Sequence, residues 1–212
     1  GRDSYRLTWS YILFVLGMLV YPIILITQAP LQQWYALKVI MPALSRGQSI
    51  FVPAMIPSLL TGLIQETLKF IPLFIIARRA KIKPLALISL GAFIGAGFGF
   101  AEACHIAGPV FQARALSSVT LFDRVFAILL HAVLGAGMGY GIARRKVWQF
   151  WLAVIGLHSF ATYLVVFVQL KLVSIKALQA VLIIYDLMLL AVMMITQIIF
   201  KRGHTAHVKG RR

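Results

Sequence analysis

Apolar residues fall into six long blocks along the chain, separated by short segments where basic residues and helix breakers collect. Allowing about 20 residues per bilayer crossing, these blocks predict helices near 8–28, 50–77, 84–107, 121–143, 148–170 and 176–200. The stretch 29–48, "APLQQWYALKVIMPALSRGQ", is also rather apolar. Its Pro30, Pro42, Lys38 and Arg46 argue against a full crossing and predict an interfacial or re-entrant piece, with a seventh span as the alternative.

Composition agrees with the pattern. Of 212 residues 61% are hydrophobic, and the mean hydropathy of +0.91 exceeds what a soluble core of this size needs. The expected fold class is all-α: a polytopic transmembrane bundle of about six helices, with 1–212 forming a single integral membrane domain. The run near 9–27, preceded by Arg2 and Arg6, is longer than a signal-peptide core and lacks a clear cleavage site, so it reads as the first span. Cys104, the single cysteine, reads as a packing residue.

The net charge of +16 is a matter of topology and does not indicate nucleic acid, because the basic residues cluster between the apolar blocks and at the ends. Arg2, Arg6, Arg78, Arg79, Lys81, Lys83, Arg144, Arg145, Lys146 and the tail "KRGHTAHVKGRR" fall on one side. Lys38, Arg46, Arg114, Arg124, Lys171 and Lys176 fall on the other. The positive-inside rule then predicts both termini in the cytoplasm. The tail reads as a basic, lipid-facing end, with His204 and His207 solvated. The glycine series in "GAFIGAGFGF" and "GAGMGYG" read as close helix contacts and not as phosphate loops, since no strand precedes either.

Only five acids are present: Asp3, Glu66, Glu102, Asp123 and Asp186. Glu66 and Glu102 fall inside predicted helices, as do Lys69, His131 and His158. Each buried charge costs roughly 2.5 to 3.5 kcal/mol on insertion scales, so such groups point to function. On the helical rise Glu66 and His131 lie roughly 18 Å from the cytoplasmic end and His158 roughly 16 Å, while Glu102 lies roughly 27 Å away. Glu66 and Lys69, spaced i, i+3, share a face and form either an internal ion pair or a tuned carboxylate. His105 reads as interfacial. Arg124 either snorkels outward or pairs with Glu102 or a substrate.

"QETLK" (Gln65–Lys69), "GAGFGFAEA" (Gly95–Ala103), Arg124 with His131, and then His158 follow one another on successive helices. In that order they resemble the PrsW family of intramembrane proteases, whose plan the YhfC and CAAX-processing families share. The resemblance covers roughly Pro57–Tyr163. The family's Glu-Glu pair is here Gln65-Glu66, and Thr162 stands where an Asn often follows the last histidine. The resemblance implies a glutamic-type peptide hydrolase in a prokaryotic cell membrane, acting on a membrane-tethered protein. Glu66 would be the general base, aided by Glu102; His131 and His158 would orient water or stabilise the oxyanion; Lys69, Gln65, Arg124 and Thr162 would support them. Because His-Glu-x-x-His is absent, no metal is favoured. If zinc were used, Glu102, His131 and His158 would be its ligands. A proton-coupled transporter, a noncatalytic relative or a scaffold would call on the same buried polar groups.

Overall fold

In the computed structural model the described residues are 2–80, 82–112 and 118–209, and among them every regular element is helical. Helix α1 (Arg2–Tyr35) runs into a π-helical stretch, Ala36–Ile40, and a short α2 (Met41–Ser45). Then come α3 (Phe51–Arg79), α4 (Pro84–Gln112), α5 (Ser118–Ala143), α6 (Val147–Gln169) and α7 (Ile175–Lys209). Among the described residues six helical segments are long and apolar enough to cross a membrane, the first spanning Thr8–Ser45. The molecule is a polytopic membrane bundle.

The stretch 29–48, read from the sequence as an interfacial or re-entrant piece, continues the first helix as far as Ser45. Pro30 sits inside α1 and Pro42 in the first turn of α2, and the helical path continues through both. Proline removes one backbone hydrogen bond but fits a first turn without loss, and π-bulges commonly absorb such irregularities. Thr8–Ser45 therefore makes one rod of 38 residues, about 57 Å long and well beyond a hydrocarbon layer of about 30 Å. Its far end is tied down by the hydroxyl of Tyr35, which donates to the Pro53 carbonyl at 3.0 Å. Cys104, expected in packing, is exposed on α4. Lys81, Arg114, Arg211 and Arg212 lie outside the described residues, as do the side chains of Arg2, Asp3, Arg6, His204, His207 and Lys209.

Glycine decides how closely the central helices approach. A Cβ on Gly91 would run into the Gly135 carbonyl, one on Gly95 into that of His131, and one on Gly139 into that of Leu87. On the opposite face of α4, Gly97 lies against the Phe14 carbonyl, and Gly17 of α1 against that of Ile94. With no hydrophobic force between helices in lipid, dispersion at such short range is the main attraction left. Helix α4 is thus held between α1 and α5. A buried cluster of Leu13, Leu73, Leu90, Ile94, Leu134, Met138 and Val154 fills the junction of α1 and α3–α6.

Candidate active site

Four helices bring their ionisable groups to one point. In α3, Glu66 and Lys69 are 0% and 2% exposed, and Lys69 Nζ donates to Glu66 Oε1 at 2.6 Å. From α6, His158 Nδ1 lies 2.6 Å from the same oxygen. From α5, His131 Nδ1 lies 3.0 Å from Lys69 Nζ, and its Nε2 lies 2.9 Å from Glu102 Oε2 of α4. These contacts set the tautomers. An ammonium has no lone pair, so His131 Nδ1 must accept from Lys69, and His131 Nε2–H donates to Glu102. His158 Nδ1–H donates to Glu66.

Aromatic edges enclose the group. Lys69 Nζ sits 4.8 Å from the Phe98 ring centroid, and Phe98 meets His131 edge-on at 4.8 Å. The two histidine rings lie 5.1 Å apart. Sealed in this way, Glu66 and Lys69 are mutually dependent, because removing one partner of a buried ion pair costs about 3–5 kcal/mol. Glu66 Oε1 serves two donors, while Oε2 is buried and meets no hydrogen-bond donor among the described residues.

Glu102 comes into contact despite its greater expected depth. A helical side chain leans toward its own N-terminus, which carries the Glu102 carboxylate back toward Gly99, where a Cβ would touch the His131 ring at 3.0 Å. The other expected supports are placed differently. Arg124 does not bond Glu102; it pairs with Asp123 at 2.7 Å. Thr162 spends its hydroxyl on the His158 carbonyl of its own helix at 3.1 Å. Gln65 is buried beside Glu66, and its Oε1 is without a partner among the described residues. The ring of His105 packs 5.5 Å from that of Tyr21.

Three features were not singled out in the sequence. Asp186 of α7 is 3% exposed with an unpartnered Oδ1, outside the cluster. Ser159 Oγ is buried and unpartnered beside His158. Gln28, Gln32 and Thr61 form a hydrogen-bonded knot between α1 and α3. The i, i+4 spacing of the two glutamines in an otherwise apolar run was the available signal, but uncharged amides draw less notice than acids.

Glu66, His131 and His158 each bring one ligand-capable atom within 4.8 Å of the others. This set contains Glu66 in place of the Glu102 expected for zinc. Two histidines with a carboxylate is a donor set that catalytic zinc accepts, and the His131–Glu102 contact matches the carboxylate that supports a metal-bound imidazole. The Lys69 ammonium, already beside Glu66 Oε1 and His131 Nδ1, occupies a place favourable to positive charge. The donor set therefore fits a divalent cation that takes the place of this ammonium.

A helical membrane bundle enclosing a buried Glu/His/His group has the features of an intramembrane hydrolase. The chain matches the family model described as PrsW family intramembrane metalloprotease over residues 6–198, and it belongs to that family of peptidases. The match extends beyond the resemblance at 57–163 to take in the first and last helices. No curated protein and no solved structure matches the chain.

Proposed function

We propose that the protein is an intramembrane endopeptidase that hydrolyses a peptide bond of a membrane-tethered protein, with Glu66 as general base. The observation that carries this reading is the asymmetry of the Glu66 carboxylate. Lys69 and His158 fix Oε1, which leaves Oε2 as an oriented acceptor in a buried site. Water hydrogen-bonded there gives its proton to Glu66 as its oxygen attacks the scissile carbonyl carbon. The proton then passes to the departing amine as the C–N bond breaks. His158 and His131 flank the carboxylate, and either imidazole can stabilise the developing oxyanion once it turns its N–H from Glu66 or Glu102 toward the substrate. Lys69 holds Glu66 in place, and Glu102 holds the His131 tautomer.

None of these proton movements requires a metal. A divalent cation, when bound, would be held by Glu66, His131 and His158 and would make the reacting water more acidic. The basic ends of α3, α5 and α7 favour cytoplasmic termini by the positive-inside rule.

The test is cleavage of a panel of single-span membrane peptides by purified protein in proteoliposomes, with metal content measured in parallel. Cleavage that persists in metal-free, chelator-washed protein supports the carboxylate mechanism. Cleavage lost to chelator and restored by zinc assigns the chemistry to the cation. Failure to cut any peptide, with the fold intact, sinks the protease reading for this chain.

Substitutions at Glu102 probe the support it gives to His131. Glu102→Leu is expected to lower kcat about 10- to 100-fold. Glu102→Gln keeps an acceptor for Nε2–H and should cost less. Equal losses in both variants would show that the charge of Glu102, not its orienting hydrogen bond, matters.

A further inference from the structure

A peptide bond inside a membrane helix is doubly protected, because its backbone groups are bonded within the helix and its carbonyl is shielded. A segment must unwind before water can reach it, and each freed backbone N–H then needs an acceptor that lipid cannot supply. Buried acceptors without partners are rare in native proteins. This chain has such acceptors on α3 and on the neighbouring helices that face it.

Thr61 defines one strip of them. Its hydroxyl has a single proton, given to the Pro57 carbonyl at 2.9 Å, so its lone pairs accept from Gln32 Nε2 at 2.7 Å and from Gln28 Nε2 at 3.2 Å. Gln28 Nε2 also donates to Gln32 Oε1 at 3.1 Å. Flipping the Gln28 amide would set oxygen against these acceptors, so its orientation is fixed. Its Oε1 is left buried without a donor, on a residue only 5% exposed. One turn further along α3, Gln65 is 3% exposed with its Oε1 likewise unpartnered. Ser159 Oγ of α6 is also unpartnered, but it is closed off in the tight contact of α6 with Gly62 and lies outside this strip.

We infer that Gln28 and Gln65 receive the backbone of an unwound substrate segment and lead it to Glu66; this rests on the protease reading above. From Thr61, where Gln28 is anchored, to Glu66 is about 7.5 Å on the helical rise, the length of roughly two extended residues. The ligand is therefore a short extended peptide recognised by its main-chain N–H groups and not by its side chains. Gln28 and Gln65 are positioning residues for that strand. The order of approach follows from the chain: the glutamine knot lies nearer the start of α3, and Glu66 deeper along it.

The experiment measures binding, so it does not depend on turnover. The probe is a single-span leucine-alanine peptide with Gly-Gly at its centre, offered to the full chain in proteoliposomes. A second series has one central amide replaced by an ester. The ester removes one N–H and sets an oxygen against the Gln acceptor. Wild-type protein is expected to bind the ester about tenfold more weakly at one or two positions. In Gln28→Met or Gln65→Met protein, amide and ester should bind alike at the corresponding position, since the coupling is then gone. A merely structural role for the glutamines would weaken both forms equally.

Amide and ester bound equally by wild type at every position, or neither form bound, would overturn the inference. The wild-type scan decides this even if a variant fails to fold. Discrimination without cleavage would keep the strand-receiving strip while removing the protease reading. Cleavage without discrimination would do the reverse.

Discussion

Glu66→Gln is expected to reduce peptide cleavage at least about 10²- to 10⁴-fold, the usual contribution of a positioned general base. Glutamine matches glutamate in size, and its carbonyl oxygen can still accept from His158 and Lys69, both now at 2.6 Å. The second heteroatom becomes an N–H₂ that cannot take a proton from water. The substitution also leaves Lys69 charged, 2% exposed and without its carboxylate, and breaking a buried pair costs about 3–5 kcal/mol. Activity loss and lower thermal stability are therefore expected together. The double variant Glu66→Gln with Lys69→Met separates them, since removing the orphaned ammonium should restore much of the stability and none of the cleavage. Wild-type turnover in Glu66→Gln, read per folded molecule, would remove Glu66 from the role of base.

The second large effect is expected at a residue with no chemistry of its own. Gly95→Val should destabilise the bundle by about 1–3 kcal/mol or more, because overpacked helices must separate. A Cβ at Gly95 meets the His131 carbonyl carbon at 2.6 Å and the Ala132 Cα at 3.1 Å, all backbone atoms of α5 that cannot rotate aside. The same separation draws His131 away from Glu102, now 2.9 Å away across that interface. A displacement of about 1 Å at a catalytic group can cost about 10²-fold in rate. Gly156→Ala is the control: it has nothing within 4 Å of its Cβ, and alanine is the better helix former by roughly 0.5–1 kcal/mol. Thermal unfolding and cleavage rate should both fall in Gly95→Val and be preserved in Gly156→Ala. A Gly95→Val protein as stable as wild type would mean that α4 and α5 have slack that the close contacts do not reveal.

Lipid is a demanding solvent, and much of the fold was therefore legible from local composition. Six apolar blocks became six candidate spans because any segment of that length and hydropathy must satisfy its backbone internally as a helix. The continuity of helix through 29–45 was less legible, for the same local reason. Pro30, Pro42 and Lys38 look like interruptions one at a time, but a helix that overshoots the hydrocarbon layer can carry them at its far end.

The buried polar residues were also legible, since Glu66, Lys69, His131 and His158 stand out against apolar surroundings. Their partners were not. Depth along a helix is a property of one segment, whereas contact depends on how each helix is rotated and where it crosses its neighbours. That geometry is set by Gly91, Gly95, Gly97 and Gly135 acting across three helices at once. Glu102, placed too far away by straight rise, therefore reaches His131, while Arg124 turns to Asp123. The knot of Gln28, Gln32 and Thr61 could not be foreseen because neither helix alone shows which face it offers the other. By itself the sequence determined that the chain crosses a membrane as helices and which polar groups it carries inside. Only the tertiary structure decided which of their atoms meet, because close packing in lipid is a joint property of several helices.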